Sequence, residues 1–473
     1  MLPDLIETVP LDKPVRAEIT VPGSKSITNR ALILAALAEG EVTLEGALWS
    51  EDTQIMVECL QELGFMVDVR PDPNEFSNRT ITVYGKGGVV PPGGTEEQPL
   101  ELFVGNAGTA ARFLAAFVCL GKGVYRLHGV PRMNERPKAA LFRALRELGY
   151  RVDSPTEKLP AVIHGSGPKP GAKCTVNIEE SSQFASALLL CANVGGWSVE
   201  VLGENADESP YVDMTQRLVE AFPKNGGKFQ IEPDASGGSY FWAANWLVSV
   251  GSWMKSLMGT PGFQIAWDLN EVQDWIKKSH PPGQLSPISG NHPAISVSNW
   301  PTSGWQIDAD FPLFIPLPET ISRETQLGDS IMTALVLAAD AWGGLGMDRR
   351  NKGIQFTDLR RLRLQECERV VALRTELKKC GANVVEKDDT LTVYQATLHG
   401  AEIETYNDHR MAMCFAILGL KVPGIKLKNP ACVKKTFPNF FQKLADAPPQ
   451  GLGATILDAK TGRQLTHDEL FAE

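Results

Sequence analysis

A stretch of helical periodicity that stops at a glycine and passes at once into a β-type run occurs three times in this chain. The copies are Leu60-Gln61-Glu62-Leu63-Gly64-Phe65-Met66-Val67, Leu145-Arg146-Glu147-Leu148-Gly149-Tyr150-Arg151-Val152 and Leu377-Lys378-Lys379-Cys380-Gly381-Ala382-Asn383-Val384. Glycine at the residue after a helix end is the signature of positive φ, which other residues adopt only at a cost. A weaker copy lies between Leu218 and Ile231. Gly64 and Gly149 are 85 positions apart, and Gly149 and Gly381 are 232 apart, close to three such periods. An internally repeated α/β architecture follows, with a period too long for a common solenoid.

With 473 residues the chain holds two large domains or three ordinary ones. Apolar residues at 43% and charged residues at 22% exclude collagen-like, disordered and coiled-coil classes. The 46 Lys plus Arg against 56 Asp plus Glu give −10, which opposes a general affinity for nucleic acid or an anionic membrane surface. An anionic ligand must therefore meet a local cluster of cations. Apolar runs such as Met411 to Leu420 fall short of the roughly 20 residues that cross a bilayer. Asp4, Glu7 and Asp12 near the start oppose a secretory signal, so a cytoplasmic protein is expected. The eight cysteines form no CxxC pair and the seven histidines no HExxH, so reduced thiols and no metal site are expected.

Five polar loops lead into strongly apolar helices. They are Ser24 to Arg30 before Ala31–Leu37, Asn106 to Arg112 before Phe113–Leu120, Ser181-Ser182-Gln183 before Phe184–Cys191, Asp329-Ser330 before Ile331–Ala339, and Asn407 to Arg410 before Met411–Leu420. Capping accounts for the hydroxyls and amides, so each is expected to open an N-capped buried helix. It does not account for Arg30, Arg112 and Arg410, in or near first turns, where the helix dipole disfavours a cation by about 0.3–1 kcal/mol. Three such arginines beside free helix N–H groups suit shared phosphate or carboxylate ligands.

Residues Trp242 to Trp305 hold seven of the ten tryptophans and resemble an inserted elaboration, to which no chemistry is assigned. Ala447-Pro448-Pro449-Gln450-Gly451 reads as a linker before a polar tail that adds little to the core. Pro22-Gly23-Ser24-Lys25-Ser26 lacks the P-loop spacing, and the prolines of Gly165 to Gly171 oppose a dinucleotide-binding turn.

The ordered motifs resemble those of the 5-enolpyruvylshikimate-3-phosphate (EPSP) synthases. They run from Pro22 through Arg30, Asn106-Ala107-Gly108-Thr109 with Arg112, Met133-Asn134-Glu135-Arg136-Pro137, Ser181-Ser182-Gln183, Asp234-Ala235-Ser236, Glu366 with Arg369, and Asn407 through Ala412, to Lys435-Thr436-Phe437-Pro438. The resemblance implies an α/β (α+β) fold, a two-domain inside-out α/β prism of repeated βαβαββ units with the active site in the interdomain cleft. On that pattern residues 24–232 make the first domain, and 1–23 with 233–446 the second, which carries the Trp-rich elaboration at about 242–310. Residues 447–473 are the linker and tail.

The resemblance also implies the reaction: the enolpyruvyl group of phosphoenolpyruvate passes to the 5-hydroxyl of shikimate 3-phosphate, releasing phosphate, on the route to chorismate and aromatic amino acids. Lys25, Gly108, Arg136, Gln183, Arg369, Arg410 and Lys435 are then expected to hold phosphoenolpyruvate. Ser26, Arg30, Ser181, Ser182, Gln183, Tyr211 and Asp329 are expected to hold shikimate 3-phosphate. Asp329 is the candidate to accept the hydroxyl proton, and Glu366 with Lys25 to move protons at the methylene. His409 is either a ligand or a buried support for Arg410. No cofactor, no nucleic acid and no membrane is implied, and a monomer acting on small molecules is expected. The inhibitor glyphosate occupies the phosphoenolpyruvate site in this family, and Gly108 leaves room for it.

Several residues depart from the family pattern. Gln365 stands where a lysine is common, Glu208 where a phosphate-binding serine is common, and Phe113 where a proline often follows the arginine. Arg361 and Ser209 are nearby groups that could offset the first two. Two alternatives stay open at this point: an enolpyruvyl transferase on another acceptor such as a nucleotide sugar, and a non-catalytic anion-binding relative. The nucleotide-sugar enzymes use a loop cysteine, and none lies between Cys59 and Cys119.

Overall fold

The computed structural model describes residues 2–203, 209–250, 295–340 and 353–472. These divide into two compact units, Pro22–Glu232 and the discontinuous pair Met1–Val21 with Pro233–Glu473. Each unit carries the same sheet pattern twice: four strands, of which the first pair is parallel and the next two pairs antiparallel.

In the first unit one sheet runs Gly227–Gln230, Glu39–Leu48, Asn78–Lys86, Val67–Pro71. The other runs Leu100–Phe103, Lys122–His128, Ala161–Ser166, Arg151–Asp153. In the second unit the sheets run Thr320–Ser322, Ile354–Thr357, Thr390–Tyr394, Asn383–Lys387, and Glu402–Ile403, Lys426–Lys428, Leu5–Thr8, Ile456–Asp458. Each unit also has a parallel strand pair, Lys173–Asn177 with Ser198–Leu202 and Ala17–Ile19 with Ile295–Val297. The residues from Gly165 to Gly171 thus connect two strands, not a strand to a helix.

The repeated glycines explain how each copy turns. Helices α2 (Glu51–Glu62) and α5 (Ala139–Glu147) in the first unit, and α10 (Arg369–Lys379) in the second, end at Gly64, Gly149 and Gly381, with φ of 86°, 89° and 89°. The glycine N–H of each donates to the carbonyl three residues back, and the next N–H to the carbonyl five back, as in Phe65 N to Leu60 O at 3.0 Å. This paired closure satisfies helix-end carbonyls and aims the chain into the sheet's edge strand. The weaker copy differs: α7 (Pro210–Ala221) ends in extended backbone at Phe222, and positive φ appears only at Gly226 and Gly227.

The helices that follow the polar loops are α1 (Lys25–Leu37), α3 (Gly108–Phe117) and α6 (Gln183–Gly195) in the first unit. In the second they are α9 (Ile331–Asp340) and α11 (His409–Gly419), beside α8 (Ala235–Ala244). Every residue from Ile27 to Leu37, and every residue of α3 and α11, is buried. A helix apolar all round has to be covered on every side, and each fully buried Leu, Ile or Phe contributes about 1.5–3 kcal/mol. These central helices fix where the polar loops at their N-termini can lie.

The C-terminal residues correct the sequence reading. Residues 447–472 are not a linker with a loose tail: Ile456–Asp458 pairs with Leu5–Thr8, and Leu452, Ala454, Ile456, Leu465, Leu470 and Ala472 are buried in the second unit's core. Their apolar residues are too widely spaced to stand out, yet they cover an edge strand whose N–H and C=O groups would otherwise be unpaired. The Trp-rich segment is anchored at both ends by Trp242 against Trp300, ring centroids 5.6 Å apart, and its middle lies outside the described residues. Among the described residues no helix is long and apolar enough to cross a membrane.

Ile456→Ala is expected to destabilise the protein by about 2–5 kcal/mol, the cost of a large-to-small core change. Urea unfolding followed by circular dichroism measures it; an unchanged midpoint would restore the loose-tail reading.

Candidate active site

Two polar clusters form at the helix N-termini, one in each unit. In the first unit, Lys25 is the first residue of α1 and its Nζ lies 3.2 Å from Asp52 Oδ2, so it is a paired side chain rather than a solvated one. The backbone before it approaches its neighbour so closely that a Cβ on Gly23 would sit 2.0 Å from the Gly46 carbonyl oxygen. Arg30, only 1% exposed, donates to Thr215 Oγ1 (2.8 Å), Ser186 Oγ (2.9 Å) and the carbonyls of Ser26 (2.9 Å) and Tyr211 (3.4 Å). Burial pushes its pKa down to about 10, against the opposing effect of Tyr211. Arg30 therefore ties α1, α6 and α7 together and braces Ser26 from behind. Phe113 stacks under this guanidinium at 5.3 Å, which gives a packing reason for that departure from the family pattern.

Arg112 of α3 donates to Gln183 Oε1 (2.9 Å) and the Gly108 carbonyl (3.0 Å), while Gln183 Nε2 donates to Thr109 Oγ1 (3.2 Å). Arg136 follows the short helix α4 (Pro131–Glu135). A Cβ on Gly108 would lie 2.7 Å from Nη1 of both Arg112 and Arg136, so the two guanidinium groups converge on that glycine. Ser181 Oγ accepts from the Gln183 backbone N–H (3.3 Å), and Ser182 beside it is buried.

In the second unit, Asp329 is flanked by three arginines: Arg323 at 2.9 Å, Arg410 at 3.3 Å and Arg369 at 3.8 Å. Burial alone would raise its pKa, but Arg410, Arg323 and Arg369 outweigh burial and hold the carboxyl well below its ordinary range. Arg369, 1% exposed, donates to Asp408 Oδ2 (2.7 Å), Glu366 Oε2 (2.8 Å) and the Gln365 side-chain oxygen. Burial opposes its charge, and Asp408, Glu366 and Asp329 more than restore it, so its pKa is raised. Lys435 Nζ lies 3.0 Å from the other oxygen of Glu366. Arg410 donates to Ser236 Oγ (3.0 Å), and Ser236 to Asp234 Oδ1 (2.7 Å), which also caps α8. His409 is buried beside Asp408, its Nδ1 3.8 Å from Oδ1.

The structure thus gathers Asp329, Glu366, Arg369, Arg410 and Lys435 in one cluster, and Lys25, Ser26, Arg30, Gly108, Arg136, Ser181, Ser182, Gln183 and Tyr211 within the other unit. It corrects the capping expectation. Ser24, Ala107 and Ser182 make no side-chain cap, and Ser330 N donates instead to Asp308 Oδ1 (2.8 Å). Asp408 does cap its helix, accepting from the Arg410 N–H at 2.9 Å, and in α6 the N–H of the first residue goes to Ser181 rather than to Ser182. Arg30 also sits in the second turn of α1, which begins at Lys25, so the dipole bears on it less than the sequence suggested.

Sequence reasoning missed Asp52, Asp308, Arg323 and Lys138, and gave Asp408 no role. Lys138 carried a signal: with Leu141, Phe142 and Leu145 it follows the i, i+3, i+4, i+7 spacing of the buried face of α5. The Gln365 departure is spent on Arg369. Ser209, offered as a compensating hydroxyl, is buried, and Glu208 lies outside the described residues. All eight cysteines are unpaired thiols, and Cys367, at the edge of the second cluster, has its pKa raised by burial and by Asp408. Among the described residues no group of three or more His, Cys, Asp or Glu is arranged to hold a metal ion.

The family model described as EPSP synthase (3-phosphoshikimate 1-carboxyvinyltransferase) matches residues 10–249 and 326–444. The chain belongs to the EPSP synthase family. The 3-phosphoshikimate 1-carboxyvinyltransferase of Trichormus variabilis is 35% identical over 464 residues, covering 93% of this chain and 98% of that protein. The enzyme of the same name from Opitutus terrae is 35% identical over 94% of this chain and 97% of its own. Among solved structures, EPSP synthase from Acinetobacter baumannii has a TM-score of 0.62 at 20% identity, covering 96% of this chain and 99% of that one. The enolpyruvyl transferase NikO from Streptomyces tendae has a TM-score of 0.59 at 15% identity over 98% of each chain, and these two likenesses bear on the fold alone. The family match skips residues 250–325, most of the Trp-rich elaboration.

Asp408→Ala would remove one of the ion pairs of the buried Arg369 guanidinium and uncap α11, and is expected to cost about 1.5–3 kcal/mol in urea unfolding. Because Asp329 is depressed in the folded state, its stabilisation is complete above the unfolded-state value near 3.9 and declines as pH falls below it. The advantage of the wild type over Asp329→Asn should therefore be smaller at pH 3 than at pH 7; an equal advantage at both would contradict the ion-pair geometry.

Proposed function

We propose that the protein transfers the enolpyruvyl group of phosphoenolpyruvate to the 5-hydroxyl of shikimate 3-phosphate, releasing inorganic phosphate, and that it does so in the cytoplasm. The observation that carries this is the pair of cation arrays, Arg112 with the half-buried Arg136 and the buried Arg369 with Arg410 and Lys435, on a chain of the EPSP synthase family. Both substrates carry a phosphate and a carboxylate, and fixed guanidinium forks suit both groups. Lys25, Gly108, Arg136, Gln183, Arg369, Arg410 and Lys435 are assigned to phosphoenolpyruvate. Ser26, Arg30, Ser181, Ser182, Gln183, Tyr211 and Asp329 are assigned to shikimate 3-phosphate, Arg30 acting mainly by fixing Ser26.

In the addition step the 5-oxygen bonds to the central carbon of phosphoenolpyruvate, its proton passes to Asp329, and the methylene gains a proton from Lys25 or Glu366. The tetrahedral intermediate then loses a methyl proton and breaks its C–O bond to phosphate. In the free protein three arginines make Asp329 a weak base. A substrate anion that draws on Arg369 and Arg410 lessens their hold on Asp329 and raises its basicity as the acceptor arrives. Glu366 stands between Lys435 at 3.0 Å and Arg369 at 2.8 Å, within reach of both cations.

Phosphate release from phosphoenolpyruvate is expected with shikimate 3-phosphate and not with UDP-N-acetylglucosamine, and Lys25→Ala should slow it by about 100-fold or more. Turnover with the nucleotide sugar instead, or with neither, would overturn the assignment. Gly108→Ala places a methyl 2.7 Å from Arg136 Nη1. It should raise KM for phosphoenolpyruvate by about tenfold, or about 1.4 kcal/mol, and weaken competitive inhibition by glyphosate. Unchanged constants would remove Gly108 from the pocket.

A further inference from the structure

Lys138 opens α5 two residues after Arg136 and is fully buried. Its Nζ has one polar neighbour, the Met133 sulfur at 3.8 Å, a weak acceptor. The charges that act on it are both positive, Arg112 from α3 and Arg136 from the end of α4, and no carboxylate among the described residues offsets them. The elements packed on α5 do not change this. Gln183 of α6 is neutral, Lys173 is exposed on its strand, and Arg151 and Asp153 on theirs are exposed and paired with each other. An ammonium buried among like charges is costly to keep, and an apolar residue would fit the buried face of α5 without that cost. Burial first, then Arg112 and Arg136, push the lysine pKa well below its ordinary value.

We infer that Lys138 is a further ligand-positioning residue of the anion site formed by Arg112 and Arg136, and that an anion bound there draws a proton onto its buried amine. This deepens the proposed function and rests on it for the identity of the anion, phosphoenolpyruvate. A bound dianion supplies the negative charge that no described residue places beside Lys138, so the amine gains a proton as the complex forms. Binding then takes up one proton between the free and bound titration points, and Kd rises about tenfold per pH unit across that window. A purely structural lysine would leave both quantities unaffected.

The test is calorimetric titration of the full-length protein with phosphoenolpyruvate in buffers of different ionisation enthalpy. It is run at pH 7.5 to 8.5, where a phosphate ester with a second pKa of about 6 is already a dianion. The wild type is expected to take up protons on binding and to lose affinity as the pH rises over that range. Lys138→Met should bind with no uptake and a flat profile, and so should Lys138→Arg, which keeps the charge but does not deprotonate. Equal uptake in wild type and variants, or none in the wild type, would overturn the inference. The turnover assay on the same preparations separates the two claims. Turnover without Lys138-dependent uptake defeats this inference alone, whereas Lys138-dependent uptake on inorganic phosphate without turnover defeats the acceptor assignment alone.

Discussion

Gathering guanidinium groups at the buried ends of apolar helices is unfavourable unless something negative stands beside them, and the two units meet this constraint in different ways. In the second unit the protein supplies the counter-charge itself. Asp408 accepts from Arg369 at 2.7 Å and from the Arg410 backbone at 2.9 Å, so one carboxylate neutralises one arginine and seats the helix that carries the other. Asp329 and Glu366 complete a closed network with Arg323, Arg410 and Lys435. In the first unit Lys25 has Asp52, Arg112 donates to the Gln183 and Gly108 oxygens, and among the described residues Lys138 has only a thioether within hydrogen-bond reach.

That contrast has a chemical reading. The network around Asp329 is pre-organised: its groups are in place before any ligand arrives and need only exchange partners. Such sites cost little reorganisation at the moment of reaction. The cluster around Gly108 instead brings the guanidinium groups of Arg112 and Arg136 together, a geometry that suits a phosphate or carboxylate. The helices beneath both clusters are buried on all sides, which holds the loops at their N-termini in fixed register.

Much of this was legible in the sequence because certain positions admit few residue types. Gly64, Gly149 and Gly381 marked the ends of three helices, since the backbone there takes a conformation that side chains disfavour, and each does end a helix with φ near +90°. The polar loops before apolar runs marked five helix starts, and the arginines within them pointed to anions. What was hidden is partnership across the chain. Arg369 and Asp408 are 39 positions apart, and nothing local to either says they meet. Serine before a helix reads as a cap whether or not it caps, so Ser24 and Ser182 misled while Asp308, far upstream, took the Ser330 N–H. The C-terminal strand was missed because its few apolar residues have no period, and its value lies in completing a sheet begun at Leu5.

Hydrogen–deuterium exchange of the full-length protein, with and without phosphoenolpyruvate plus shikimate 3-phosphate, tests the central claim that both cation arrays serve the same substrates. The account predicts slowed exchange in the first turns of α1, α3 and α6 in one unit and of α9 and α11 in the other, all on addition of the substrate pair. Protection confined to one unit, or absent from both, would contradict it.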